Sequence, residues 1–282
     1  MTNYQHIQEL LQTSSGTEGS LLIPKKIYDS LVEEVFKAVL PRSEAAQYFG
    51  PAQIPGSSID INLVTRNSMK VRRIAEGAEV HLDNATYTNV NFKPNKYGVN
   101  LRITSEMLED SKWDLLKHNI QVAGRRLAEN ENSLIVTALD TASNTVAGGA
   151  SITVANITRA MQYIEDVDYY STTFAVGYSV LKDLRNLDLF TEAYKAGNTD
   201  MLEKGFLGNI FGMKVYKVST NAGMTTTSSY IFDNAQAYGI AEKRPVSVEN
   251  FDLPTFDLRA AIVTQRIDVQ ALRSEAIAKI TT

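Results

Sequence analysis

The sequence predicts an α+β fold, in which helices and strands follow one another without regular βαβ repetition. Alternation of apolar and polar residues indicates strands between Ser57 and Thr104 and again from Arg259 to Leu272. A stripe of apolar residues at helical spacing indicates a long helix from about Trp113 to Leu139. Short helix and strand patterns follow from Ser151 onward in mixed order, with no internal repeat.

Composition limits the possible classes of function. The 282 residues are 44% hydrophobic and 21% charged, as in a globular protein with one large domain or two smaller ones. A net charge of −4, from 28 basic and 32 acidic residues, disfavours a sequence-specific DNA-binding protein. The absence of cysteine excludes disulfides, thiolate metal sites and cysteine nucleophiles. No apolar run is long enough for a membrane span, so we expect a soluble protein made in the cytoplasm, with no membrane partner.

The N-terminal region reads as an arm followed by a helix. Residues 3–12 have amphipathic spacing, and residues 13–20 form a polar link containing Gly16 and Gly19. A tethered arm that docks elsewhere and a frayed terminus explain this pattern equally well. Pro24 suits the first turn of a helix, which Pro41 would end.

Residues 57–104 are predicted to form a long two-stranded ribbon, around which the rest of the chain is organised. The outgoing arm has Ile59, Ile61 and Leu63 at alternate positions, and the returning arm has the series Tyr97, Val99, Leu101 and Ile103. Arms of about twenty residues would reach about 60 Å, beyond the diameter of about 50 Å of a compact chain of this length. An isolated ribbon is marginal in water, so we expect it to lie on a neighbouring copy of the protein.

The ribbon tip, Arg66 to Asn84, has charges of both signs. We predict that six of its residues contact another subunit: Arg66, Lys70, Arg72, Arg73, Glu76 and Glu79. A divalent-metal site is an alternative use for Glu76, Glu79, His81 and Asp83. A solvated charged tip is favoured over it, because a ligand set needs convergent geometry.

No enzyme motif is present. The three histidines lie in unlike segments, and Gly177-Tyr178-Ser179-Val180-Leu181 lacks the closing glycine of a nucleophile elbow. The glycines at 205, 208 and 212 are wrongly spaced for a dinucleotide or phosphate loop. We therefore expect no catalytic residues, no cofactor and no metal.

Further elements are predicted after the ribbon. The apolar stripe of the long helix is interrupted by Glu131. Asn156 is expected to cap a helix over 157–167, and Ser179 to start another. Strands are expected over 173–176, 213–218 and 230–233, and at the C-terminal end of the chain.

Several segments together carry a family resemblance. They are Gly19-Ser20-Leu21-Leu22-Ile23-Pro24 after the arm, Ala75-Glu76-Gly77-Ala78-Glu79 in the ribbon, Ile103-Thr104-Ser105-Glu106-Met107-Leu108-Glu109-Asp110-Ser111 before the long helix, Gly205-Phe206-Leu207-Gly208, and Arg266-Ile267-Asp268 through Ala276-Ile277. In this order and spacing, the chain resembles the major capsid protein of tailed bacteriophages, the Hong Kong ninety-seven type of shell subunit.

The resemblance implies a domain plan. It places an N-terminal arm at 1–23, the start of a peripheral domain at 24–56, and an extended hairpin loop at 57–104. A spine helix of the peripheral domain follows at 105–150 and an axial domain at 151–221. Residues 222–282 supply the remaining axial and peripheral strands.

The resemblance also implies a function. Such subunits assemble through pentamers and hexamers into an icosahedral shell of the virion, built in the host cytoplasm, that encloses double-stranded DNA. Implied partners are other copies, scaffold and portal proteins, and packaged DNA held by non-specific contact. Many relatives carry a large N-terminal scaffolding region, which the twenty or so residues before the fold would not accommodate. We therefore expect a separate scaffold protein or a processed chain.

Two other functions remain open. An encapsulin-like shell shares the fold but encloses cargo enzymes instead of DNA. A soluble enzyme of unfamiliar type is disfavoured by the missing motifs.

Overall fold

The computed structural model describes residues 42–66, 69–110, 115–187, 209–253, 255 and 257–282. The predicted arm, the helix starting at Pro24, the start of the long helix at Trp113 and the segment 205–208 lie outside these residues. Elements are numbered below over the described part of the chain.

Twelve strands and four α-helices are described. The strands are β1 Gln47–Phe49, β2 Ile59–Val64, β3 Tyr87–Phe92, β4 Asn95–Thr104, β5 Asn144–Ala147, β6 Thr173–Val176, β7 Asn209–Ile210, β8 Met213–Lys217, β9 Ser228–Phe232, β10 Tyr238–Leu253, β11 Leu258–Ala271 and β12 Ile277–Thr281. The helices are α1 Ser105–Asp110, α2 Leu115–Leu139, α3 Val154–Glu165 and α4 Tyr178–Asn186.

The strands form three sheets, which confirms the mixed α+β prediction. A four-stranded sheet has the order β1-β10-β11-β4, and a six-stranded sheet has the order β5-β12-β9-β6-β8-β7. The third sheet is the hairpin of β2 and β3. Parallel and antiparallel pairs occur in both larger sheets, as expected without regular βαβ units.

The six-stranded sheet carries α3 and α4 on a shared apolar core. Ile157, Ala160 and Ile164 recur at helical spacing on α3 and are fully buried in this core. Thr153, rather than Asn156, caps α3, because its hydroxyl oxygen accepts the Asn156 backbone N–H at 3.3 Å. The predicted cap was therefore three residues too late.

The long helix α2 lies on the four-stranded sheet. Ile120, Ala123 and Leu127 face Ala261 and Val263 of the central strand β11. Neither α2 nor any other described helix is both long and apolar enough to cross a lipid bilayer.

Glu131, which interrupts the apolar stripe of α2, forms a buried ion pair with Arg42. The Arg42 guanidinium donates to both Glu131 oxygens, at 2.9 and 3.0 Å, and reaches Glu242 of β10 at 3.0 Å. Gln265 of β11 donates to both carboxylates, at 3.3 and 3.1 Å. The charge that interrupts the stripe thus ties α2 to two strands of the sheet, as buried carboxylates require a cationic or hydrogen-bonding partner.

The predicted pairing of the ribbon is wrong. Strand β4, taken as its returning arm, pairs with β11 over ten residues, from Leu258–Thr104 to Ile267–Asn95. The partner of β2 is β3, over the six pairs from Ile59–Phe92 to Val64–Tyr87. Alternation is the same in a hairpin arm and in a sheet strand with one covered face, so it identified β2 and β4 as strands without giving their partners. The regular ladder of six pairs spans about 20 Å, so only the base of the hairpin is paired strand.

Strand β10 was not predicted. Its residues 243–245, Lys-Arg-Pro, break the apolar alternation, and its register with β11 shifts on both sides of Arg244. With such irregularities, a strand does not show the alternation of apolar and polar residues by which strands are predicted.

Candidate intersubunit contact surface

The base of the hairpin is fixed to its own subunit. Phe92 at the end of β3 is fully buried with Ile54 and Ala241, and Ile59 and Ile61 of β2 pack on this cluster. The turn that follows β3 is held by β11, where the Asp268 carboxylate accepts the Lys93 backbone N–H at 2.7 Å. The base therefore belongs to the folded body.

The tip leaves this anchored base without regular structure. The Thr65 N–H donates to the Thr86 carbonyl at 2.7 Å, one step beyond the ladder, and the described residues 69–86 form no helix or strand. One tight turn is present, in which the Ala78 N–H donates to the Ala75 carbonyl at 3.0 Å. Gly77 has a φ of +79° in this turn, a conformation that favours glycine.

Large apolar side chains on the tip face solvent. Val71 is fully exposed, and Leu82 and Val80 are 88% and 70% exposed. Met69 and Ile74 are also exposed. In a single subunit these side chains have no core to join, and several large apolar side chains exposed on one short loop are typical of an interaction site.

The charge pattern of the sequence predicts a polar tip and does not single out these apolar residues. Their signal in the sequence is the apolar pairs Met69/Val71 and Val80/Leu82, which lie at alternate positions among the charges.

Five of the six predicted contact residues lie in the part of the tip beyond the ladder, residues 69–84. Lys70, Arg72, Arg73, Glu76 and Glu79 are all exposed. All of these except Glu76 line a shallow depression of about 210 Å³, together with His81 and Asp83. The structure thus brings basic and acidic groups together on one small surface.

Most tip charges are available to a partner. The Arg72 guanidinium lies 3.6 Å from the Asp83 carboxylate, and both side chains are partly exposed. Lys70, Arg73, Glu76 and Glu79 form no ion pair with any described residue. Exposed pairs of this kind contribute about 0–1 kcal/mol each, so the tip charges do little for the subunit itself.

Arg66 lies apart from the other five, at the end of the hairpin ladder. It donates to the Asp168 carbonyl oxygen of the same chain at 3.1 Å, and its guanidinium lies 4.3 Å from the centre of the Tyr169 ring. The structure thus places Arg66 against its own subunit.

In the described structure, the acidic residues of the tip are not gathered into a metal-ligating group. No group of three or more histidine, aspartate or glutamate side chains in the described ranges is arranged to hold a metal ion. All four residues of the alternative, Glu76, Glu79, His81 and Asp83, fall within those ranges. The geometry is therefore that of a charged surface.

The sequence of this chain matches a known protein family. The family model described as phage capsid protein matches residues 87–280, over two thirds of the chain. The chain belongs to the phage capsid protein family. The resemblance seen in the sequence segments is thereby confirmed.

Solved structures share the fold of this capsid protein. One described as Mycobacterium phage Che8 has a TM-score of 0.65 at 16% identity, covering 80% of this chain and 84% of that one. The capsid of a native GTA particle gives 0.65 at 13%, covering 86% and 91%. A virus-like particle from Pyrococcus furiosus gives 0.60 at 13%, covering 92% and 99%. No curated protein matches the sequence significantly.

Membership gives the capsid protein a structural role. It is a subunit of a self-assembling shell and a component of the virion, and the family is not one of enzymes.

Proposed function

We propose that this protein is the major capsid protein of a tailed phage, which assembles through pentamers and hexamers into an icosahedral shell around packaged double-stranded DNA. In this proposal the hairpin tip of each subunit lies on an adjacent copy. The partners are other copies of the chain, with scaffold and portal proteins during assembly in the host cytoplasm.

The observation that carries the proposal is the exposure of Val71, Val80 and Leu82 on a tip whose base is fixed. Moving a large apolar side chain from water into a fully buried contact lowers the free energy by about 1.5–3 kcal/mol. Within the subunit this free energy is not gained. A second copy of the chain, presented repeatedly in a shell, supplies the missing surface.

The charges around these residues favour correct pairing between copies. Lys70, Arg72 and Arg73 lie next to Glu76 and Glu79, so the tip suits a partner surface that also carries both signs. Charge complementarity fixes register and rejects wrong partners more than it adds affinity. Weak contacts repeated around a closed shell add through effective concentration.

Two measurements on the purified protein test this function. Electron microscopy is expected to show closed, regular particles, whereas protein that stays monomeric at all concentrations would contradict the assembly. Particles isolated from infected or expressing cells are then analysed for nucleic acid. Double-stranded DNA protected from nuclease supports the viral function.

An encapsulin-like shell is the second candidate. The similarity in fold to the virus-like particle from Pyrococcus furiosus is compatible with such a shell. Particles that contain protein cargo and no protected DNA would establish this alternative in place of the first.

A further inference from the structure

Two arginines hold the far end of the hairpin ladder to the body of the subunit. Arg66, just beyond β2, donates to the Asp168 carbonyl oxygen at 3.1 Å, with its guanidinium 4.3 Å from the centre of the Tyr169 ring. Arg273, on the segment between β11 and β12, donates to the Val64 carbonyl oxygen at 3.0 Å. One arginine thus reaches from the loop to the body, and the other reaches from the body to the loop. We call these contacts the arginine clasp.

The space between the end of the hairpin and the body, next to the clasp, is not filled by side chains. A cavity of about 190 Å³ lies between the end of the hairpin and the segment 272–275, lined by both arginines. The apolar cluster under the hairpin instead lies near its base, around Phe92 and Ile59. The far end of the ladder is therefore held by the arginine hydrogen bonds and the ring contact rather than by a core.

The residues that Arg66 contacts, and Arg273 itself, are held in place by further contacts within the body. Tyr169 is buried, and its N–H donates to the Ile164 carbonyl of α3 at 3.1 Å. Asp168, three residues after the end of α3, has a φ of +57°. Arg273 is also oriented by Gln236, whose side-chain oxygen accepts from its Nε at 3.2 Å. The clasp therefore joins the hairpin to rigid parts of the body.

The main acceptors of the clasp are uncharged. Asp168 and Val64 are bound through their backbone carbonyls, while the Asp168 carboxylate lies 4.0 Å from Arg66 and is almost fully exposed. An exposed pair at that distance contributes little. Hydrogen bonds from a charged guanidinium are stronger than neutral ones, so the two carbonyl bonds dominate.

The clasp lies at the boundary between the fixed ladder and the projecting tip. The last ladder-type bond joins Thr65 and Thr86, and the exposed tip begins immediately beyond it. Whatever holds this boundary determines the direction in which the tip leaves the subunit. A small rotation here displaces the far residues of the tip by several times as much as it moves the ladder.

We propose that Arg66 and Arg273 are positioning residues for assembly, which aim the tip at the adjacent copy. This inference rests on the proposed function and adds an intrasubunit role for Arg66 in place of a direct contact between subunits. A merely stabilising role would lower subunit stability and leave particle geometry unchanged. A positioning role changes particle geometry while the subunit remains folded.

The test uses the full chain with Arg66→Ala, Arg273→Ala and both together. Hydrogen exchange on unassembled subunits is followed in peptides covering 59–65 and 86–92, and particles are imaged by cryo-electron microscopy. In the double variant we expect exchange in these peptides to rise about tenfold or more, as for the loss of charged hydrogen bonds. We also expect most closed, uniform particles to be replaced by irregular or open ones.

Three controls separate positioning from folding. Tyr169→Phe keeps the ring under Arg66 and is expected to leave exchange and particles unchanged. Arg66→Lys keeps a cation able to donate to the Asp168 carbonyl and is expected to restore most regular particles. Arg159→Ala removes an exposed arginine whose hydrogen bond goes to Tyr163 of the same helix rather than to the clasp, and it is expected to have no effect on either readout.

The results overturn the inference in distinguishable ways. Regular particles from the double variant, matching those of the unaltered protein, would overturn the positioning role alone, whatever the exchange shows. If Arg273→Ala lowers subunit stability, Arg66→Ala decides the result, because the Arg66 side chain is more than a third exposed and its loss is expected to cost the folded subunit little. Failure of the unaltered protein to form particles would overturn the proposed function and this inference with it.

Discussion

Two buried tyrosines show how single polar atoms affect this subunit. Tyr230 and Tyr238 are both almost completely buried. The Tyr230 hydroxyl donates to the Asp140 carboxylate at 2.6 Å, whereas the Tyr238 hydroxyl has no hydrogen-bond partner in the described part of the chain. Burial raises the pKa of both phenols, and a hydrogen bond to Asp140 adds to the effect at Tyr230. Sequence predicts Tyr230 as part of a strand but not which hydroxyl is paired.

Tyr238→Phe is therefore expected to leave the free energy of unfolding unchanged or raise it by about 1 kcal/mol, because it removes an unpaired buried hydroxyl. Tyr230→Phe is the matched control and is expected to cost about 1 kcal/mol, since Asp140 is half exposed and regains water. Urea denaturation of unassembled subunits measures both. A larger loss for Tyr238→Phe than for Tyr230→Phe would contradict this assignment.

The Glu44 carboxylate is buried and is held by several hydrogen-bond donors. It accepts hydrogen bonds from Thr173 at 2.8 Å, Tyr216 at 2.9 Å and Lys214 at 3.0 Å. Burial opposes its ionisation, but the bonds from Lys214, Thr173 and Tyr216 outweigh burial and lower its pKa below the ordinary 4.5. These bonds connect the 3₁₀ turn Arg42–Glu44 to the six-stranded sheet.

A lowered pKa in the folded state stabilises the subunit above the unfolded pKa, and the gain is lost as pH falls through the folded value. We expect the stability advantage of the unaltered protein over Glu44→Gln to be full at pH 6 and to shrink below about pH 4.5. Denaturation midpoints at pH 6 and pH 3.5 measure it. An advantage that is the same at both values would contradict the role of the charge.

At the scale of elements, the sequence predicts strands better than their partners. Alternation located β2, β4 and β11. Burial follows it in β2 and β4, where residues such as Ile61 and Val99 are half-buried between exposed neighbours, whereas most positions of β11 are buried on both faces. The pairing of β4 with β11 joins residues more than 150 positions apart, so no local pattern specifies it. The same applies to Glu131, whose place in the stripe is visible but whose partner Arg42 lies 89 residues away.

Gly98 tests the pairing of β4 with β11. A β-carbon at this position would lie 2.8 Å from Thr264 Cγ2 and 2.9 Å from the Val263 carbonyl oxygen, a backbone atom that cannot move aside. We expect Gly98→Ala to cost about 1–3 kcal/mol of unfolding free energy by overpacking. Gly56→Ala is the control, because its β-carbon would approach only to 3.8 Å of Ser58, and it is expected to be nearly neutral. Equal effects of the two substitutions would argue against the β4–β11 register.

At the scale of the whole molecule, the capsid fold could be predicted from the sequence, but the contact surface only in part. The order of several short segments led to the family, and the family model confirms it. The tip charges were predicted as contact residues and remain a proposal. The arginine clasp could not be foreseen, since it depends on Arg66 meeting Asp168, which lies 102 residues further along the chain.

Reversing two of the tip charges is expected to damage assembly more than folding. Arg72→Glu with Arg73→Glu loses one exposed pair, to Asp83, so the melting temperature of the subunit should hardly change. Because the contact recurs at every subunit, we expect the yield of particles to fall about tenfold or more. Arg159→Glu, an exposed reversal on α3, is the control. Normal particle yield from the double reversal would count against a contact role for these arginines.

If the hairpin tip is completed by another subunit, a cryo-electron microscopy map of the assembled particle, at a resolution that shows side chains, will reveal the contact. We expect Val71, Val80 and Leu82 to be buried against an adjacent copy, with the hairpin base in place on its own body. A map in which these three side chains remain in solvent, or turn back onto their own subunit, would contradict it.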